Sequence, residues 1–128
     1  MRLLLDTHIA LWAISDDPRL SGAARALITA PENEIFVSAA SIWEISIKYS
    51  LGRTNMPVSG AEALGWFRES GYRLLAISPE HAVAVEALVP LHADPFDRML
   101  VAQALYEPLR LVTHDAQVAR YSDTIIAV

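Results

Sequence analysis

The 128-residue chain contains no cysteine, which removes disulfides, thiolate metal sites and cysteine nucleophiles. Lysine is nearly absent too: Lys48 stands alone, and the ten basic residues face fifteen acidic ones for a formal charge of −5. That balance excludes a protein that holds nucleic acid by bulk electrostatics, because phosphate contacts need clustered Lys and Arg. Any such binding must be local or metal-assisted. No apolar run approaches the ~20 residues that span a bilayer, and the opening residues show no charged segment followed by a long signal core. The expectation is a cytoplasmic protein with no membrane association. There is no Gly-rich phosphate loop and no defensible Ser-His-Asp arrangement. Repeats and low-complexity tracts are also missing.

What remains is apolar. At 53% hydrophobic residues the chain is rich for one domain of this length, which can bury roughly two thirds of its unfolded surface. Apolar surface left over for a partner or a second copy is therefore expected. Residues 2–5, 34–37, 73–77, 109–113 and 124–128 read as short strands, separated by segments with helical spacing. Asp6 follows the first strand and can cap the helix after it, Ser21 caps a helix through Thr29, and a helix from Ala39 to Tyr49 stops at Gly52. Ser59 and Glu62 have capping-box spacing, Ser78-Pro79-Glu80 opens another helix, and Asp94-Pro95 opens the next. Continuous apolar strands alternating with amphipathic helices imply a mostly parallel sheet covered on both faces, an α/β three-layer sandwich spanning 1–128 as a single domain.

Four acids fall at strand-to-helix junctions or on the helices just beyond them: Asp6, Glu44, Asp97 and Asp115. In parallel sheets ligands bind beyond the carboxyl ends of the strands, so one edge could collect all four. Each also has a local explanation. Asp6 and Asp115 can cap helices, Glu44 can complete a capping box from Ser41 or pair with Lys48, and Asp97 can sit at N3 behind an Asp94 cap. Those explanations leave unexplained why acids recur at one kind of junction. Clustered carboxylates raise one another's pKa unless something positive sits among them, and oxygen-only ligation selects Mg²⁺ or Mn²⁺. Phosphodiester hydrolysis is the chemistry such a cage serves.

The segments Leu4-Leu5-Asp6-Thr7-His8-Ile9-Ala10-Leu11-Trp12, Ser38-Ala39-Ala40-Ser41-Ile42-Trp43-Glu44-Ile45, Leu51-Gly52-Arg53, His92-Ala93-Asp94-Pro95-Phe96-Asp97-Arg98, Ala102-Gln103-Ala104 and Leu111-Val112-Thr113-His114-Asp115 resemble the PIN-domain ribonucleases. Within these they look like the VapC-like toxins of bacterial type II toxin–antitoxin pairs. The resemblance covers nearly the whole chain. It implies a five-stranded parallel sheet, a homodimer, Mg²⁺- or Mn²⁺-dependent endoribonuclease action on RNA leaving a 5′-phosphate, and inhibition by a cognate antitoxin. Operator DNA would be reached only indirectly, through that antitoxin. By this resemblance Asp6, Glu44, Asp97 and Asp115 are the metal-binding and catalytic acids, with Asp94 a supporting or capping acid.

Lys48, Arg53 and Arg98 are the candidate RNA contacts, against the ordinary reading as solvated charge. His8, His92 and His114 lie near motif acids and are expected to orient an acid or touch a phosphate rather than bind the metal. Trp12, Trp43 and Trp66 are read as core or interface before base-stacking surfaces. Two rival functions stand beside the nuclease: an assembly partner of an antitoxin with little nuclease activity, and a phospho-receiver domain. The receiver needs a strand-end Lys that the chain does not place there.

Overall fold

A computed structural model describes residues 1–53 and 56–128. Five strands, β1 (Arg2–Leu5), β2 (Glu34–Ser38), β3 (Arg73–Leu75), β4 (Arg110–Thr113) and β5 (Ile126–Ala127), form one sheet in the order β3-β2-β1-β4-β5. Every pairing is parallel. The alternation of side chains sends Leu3, Leu5, Ile35, Val37 and Val112 into one core, and Leu4, Phe36 and Leu111 into the other. That two-sided burial is why the strands read as unbroken apolar runs. Helices α1 (Thr7–Ile14), α2 (Gly22–Thr29) and α4 (Gly60–Glu69) cover the first face. Helices α6 (Pro95–Tyr106) and α7 (Ala116–Ala119) cover the second. Helix α3 (Ala39–Ser50) gives Ala40 to one core and Ile45 to the other, and α5 (Pro79–Ala84) continues into a 3₁₀ turn at Val85–Ala87.

The strand order reverses at β1, which has β2 on one side and β4 on the other. Crevices beyond the carboxyl ends of strands form at such switch points. A receiver domain has the order 2-1-3-4-5; this sheet does not, and Lys48 lies inside α3 instead of ending a strand.

Local signals place the helix ends. Asp6, Ser21, Ser59, Ser78, Asp94 and Asp115 all act as N-caps. Helix α3 ends with Gly52 at φ 68°; its N–H reaches Tyr49 O, and Arg53 N–H reaches Lys48 O, the paired bonds of a Schellman stop. Two expectations are corrected in length. β3 ends at Leu75 because its partner β2 turns into α3 at Ser38. β5 shrinks to two residues because β4 ends at Thr113. Ser41 does not open a capping box with Glu44, since the cap of α3 is Ser38. Among the described residues no helix is long and apolar enough to cross a membrane.

Candidate metal centre

Asp6 leaves the end of β1 and caps α1, so its carboxylate is pinned twice. Oδ1 accepts from Ile9 N–H at 2.8 Å and Oδ2 accepts from the Thr113 hydroxyl at 2.5 Å. Thr113 ends β4, the neighbour of β1, and its hydroxyl also accepts from Asp115 N–H at 3.1 Å. One threonine thus joins the two strand ends at the switch point. Burial pushes the Asp6 carboxyl up from its ordinary value, partly offset by those two hydrogen bonds and by His8 and His114. Ionised in a dry setting, Asp6 is short of positive charge.

Glu44 comes in from α3 and is buried. Its Oε2 accepts from Lys48 Nζ at 2.6 Å, one helical turn on. Its Oε1 is buried with no hydrogen-bond partner among the described residues, an expensive condition for a carboxylate oxygen. This orphan atom fits a cationic ligand, and carboxylate oxygen donors suit a hard divalent ion.

Asp97 occupies the third position of α6 behind the Asp94 cap, whose Oδ1 accepts from Phe96 N–H at 2.8 Å and Asp97 N–H at 3.1 Å. Asp97 is pushed up to about 6, first by burial and then by the charges of Asp94, Asp6 and Glu44, with the His92 hydrogen bond opposing. Asp6 at the start of α1, Glu44 on α3 and the cap Asp94 are thus within electrostatic reach of Asp97. Asp115 caps α7 through Gln117 N–H at 2.8 Å, and its other oxygen is 3.9 Å from His92 Nε2.

His92, expected from the sequence to orient an acid or touch a phosphate, lies directly against Asp97. Its Nε2 lies 2.8 Å from Asp97 Oδ2, and its Nδ1 lies 3.2 Å from Gln117 Oε1. Both ring nitrogens face acceptors, and the bond to Asp97 pushes the imidazole above its ordinary 6.5. Ligand atoms of His92, Asp97 and Asp115 lie within 4.8 Å of one another. Asp6 and Glu44 stand outside that tight group. As an expected orienter of an acid, His92 fits; the signal for it was its place two residues before Asp94.

The cations are mostly engaged. Lys48 is held by Glu44. Arg98 donates to the carbonyls of Val85, Leu88 and Val89 and to the Tyr121 hydroxyl, so it closes the end of the 3₁₀ turn. Arg53 is exposed just beyond α3. Trp12 is buried, in contact with His8 and His114, whereas Trp43 and Trp66 are exposed, so of the core-or-interface reading only interface is left for them.

Ser38, Gln103, His81 and Glu107 make a second buried polar chain that sequence reasoning missed. Ser38 Oγ donates to Gln103 Oε1 at 2.5 Å, Gln103 Nε2 donates to Ala76 O at 3.3 Å, and His81 meets Glu107. His81 Nδ1 accepts from Ser78 N–H, so Nε2 is the nitrogen that donates to Glu107.

A family profile for the PIN domain matches residues 3–123. The chain is 32% identical over 116 residues to "Ribonuclease VapC22" of Mycobacterium tuberculosis, covering 88% of this chain and 86% of that protein. Its fold is similar to VapBC2 from Rickettsia felis bound to a promoter DNA fragment, with a TM-score of 0.72 at 20% identity over 100% of this chain and 98% of that one. DNA-bound VapBC from Salmonella typhimurium gives a TM-score of 0.68 at 14% identity, covering 100% of this chain and 97% of that one. From the strand order, the junction acids and the matched residues together, the chain belongs to the PIN-domain family and is VapC-like within it.

Proposed function

We propose that this chain is a Mg²⁺- or Mn²⁺-dependent endoribonuclease and the toxin of a type II toxin–antitoxin pair. The observation that carries the reading is Glu44 Oε1: a buried carboxylate oxygen without a partner among the described residues, near acids whose charges already help push Asp97 up. Asp6, Glu44, Asp97 and Asp115 would hold the cation, directly or through water. When bound, such an ion supplies electrostatic stabilisation of the charge that builds on an attacked phosphodiester.

The protein's own part is orientation. Thr113 and Ile9 N–H fix Asp6, Lys48 fixes one oxygen of Glu44 and leaves the other open, and the cap at Gln117 fixes Asp115. His92 holds its proton against Asp97 Oδ2, which leaves Oδ1 of that residue for a ligand. Asp94 spends its oxygen on capping α6 and supports the site through the helix start. With Lys48 and Arg98 engaged, RNA binding would rest on Arg53 and on the positive charge of a cation held by the acids. Affinity for uncleavable RNA should then rise with Mn²⁺ and depend weakly on monovalent salt.

Relatives of this fold are seen in VapBC complexes, which supports an antitoxin partner here. The groove of about 130 Å³ between α1 and α4, lined by Leu11, Trp12, Ile14, Val58 and Trp66 among others, is the proposed seat of its apolar segment. α1 contributes to that groove, while α2 does not. Exposed Val83 and Tyr106, on α5 and α6, are the proposed centre of a homodimer contact. A purely assembling role makes a different forecast and is separated by cleavage assays. Purified protein should cut RNA in Mn²⁺ and not in chelator, and Asp6→Asn or Asp97→Asn should abolish cutting and relieve growth inhibition while the fold persists. Undiminished cutting by both variants would refute the assignment.

A further inference from the structure

Trp43 is 59% exposed, although an indole ordinarily keeps most of its area out of water in a packed domain. The ring is not loose. Its centroid lies 5.2 Å from that of Phe96 with the planes at 77°, an edge-to-face contact that fixes both rings. Beside them opens a groove of about 370 Å³, lined also by Ala40, Ala82, Val85 and Met99. Small side chains give it depth without polar competition.

The sequence sets this groove against the acids. Trp43 immediately precedes Glu44, and Phe96 immediately precedes Asp97. Successive helical residues point about 100° apart, so the turns that carry two carboxylates inward carry two aromatic rings onto the adjoining surface. Glu44 is 3% exposed where its neighbour is 59%.

We propose that the Trp43–Phe96 groove is a nucleobase subsite, in which one unpaired base of the RNA stacks on the indole while the strand's backbone lies at the acids. The proposal rests on the ribonuclease reading above. Charge does not recommend the groove to a phosphate, because the one cation lining it, Arg98, is already bonded to three carbonyls and a tyrosine hydroxyl. A flat apolar face is what it offers, and every base presents one; the stacking is therefore tolerant of sequence and requires a single strand. A second copy of the chain fits less well. A stable interface buries about 800 Å² per partner, far more than a groove the size of one ring system. Two copies joined here would also bring two acid clusters of a −5 chain together.

The test uses the full chain in Mn²⁺ and a short single-stranded RNA spanning a mapped cut, with versions made abasic at each position in turn. In the parent, one abasic position near the cut should weaken binding roughly tenfold. Trp43→Ala should weaken the intact RNA by a similar factor in KM, leave kcat within a few-fold, and erase the penalty of that abasic position. Trp43→Phe should restore most of the affinity, and melting curves confirm that both variants are folded. Unchanged KM in the Trp43 variants, while the parent cuts normally, overturns the subsite and leaves the nuclease reading standing. A parent that neither binds nor cuts RNA overturns both. Conversion of a dimer to a monomer by Trp43→Ala, with the abasic penalty unaltered, assigns the groove to a second copy and also overturns the proposal.

Discussion

Replacing Asp97 by Asn should make the metal-free protein more stable at neutral pH. The carboxyl titrates at about 6 instead of its ordinary 3.8, so the folded state holds the proton more tightly than the unfolded chain does. As pH rises from about 4 to about 6, ionisation therefore costs the folded state, and the cost is complete above about 7. The difference in pKa corresponds to about 3 kcal/mol as a ceiling. Because the side chain is 26% exposed, water screens part of it and roughly 1–2 kcal/mol is expected. His92 adds the same sign: raised above 6.5 chiefly by Asp97, its protonation stabilises the fold at low pH and that contribution fades as pH rises through the raised value. Asparagine removes both dependences. In chelator the variant should melt roughly 3–8 °C above the parent at pH 7.5 and near it at pH 4.5, while Mn²⁺ should raise the parent's melting temperature more than the variant's. A variant less stable than the parent by the same amount at both pH values would refute the reasoning, and would make Asp97 a structural anchor for His92.

Three further outcomes follow from contacts away from Asp97. Lys48→Met leaves Glu44 buried with neither oxygen paired and should cost roughly 3 kcal/mol in chemical denaturation, partly recovered by Mn²⁺. Gly60→Ala would put a Cβ 1.9 Å from Ser46 Oγ and 3.1 Å from Ser46 Cβ, so the hydroxyl must leave its bond to Ile42 O and α3 and α4 must give slightly, at a cost of about 1–3 kcal/mol; a second change, Ser46→Ala, should return part of that in a double-mutant cycle. Gln103→Leu strips partners from Ser38 and Ala76 O and should cost about 2–4 kcal/mol by urea melts, whereas an unchanged midpoint would show those groups finding other partners.

Much of this arrangement was legible because the signals were local. Leu3–Leu5 and Leu111–Val112 read as buried strands since both faces of the sheet are covered, and Asp94-Pro95 announced α6 through capping chemistry alone. The junction acids could be gathered at one edge because parallel connectivity puts every strand end on the same side. What escaped depends on distance along the chain. His81 and Glu107 are separated by 26 residues, and Ser38 and Gln103 by 65, with no periodicity to link them. The bonds of Arg98 to the carbonyls of Val85, Leu88 and Val89 escaped for the same reason, since those acceptors lie up to 13 residues upstream. For Trp43 core and interface could not be told apart, because helical spacing records which residues are apolar, and exposure depends on what the neighbouring helix supplies.

The Thr113 hydroxyl that grips Asp6 sits 107 residues downstream of it, and this separation has a consequence for synthesis. β1 leaves the ribosome first, yet it is the central strand, and one of its two neighbours, β4, arrives near the end. A nascent chain that has reached Asp97 already carries three of the four acids but neither the strand that flanks β1 nor the hydroxyl that orients its carboxylate. Contacts of such long range are closed late. On the nuclease reading proposed above, the site stays incomplete until β4 docks, and a fragment released before Arg110 is expected to be inert although it carries Asp6, Glu44 and Asp97.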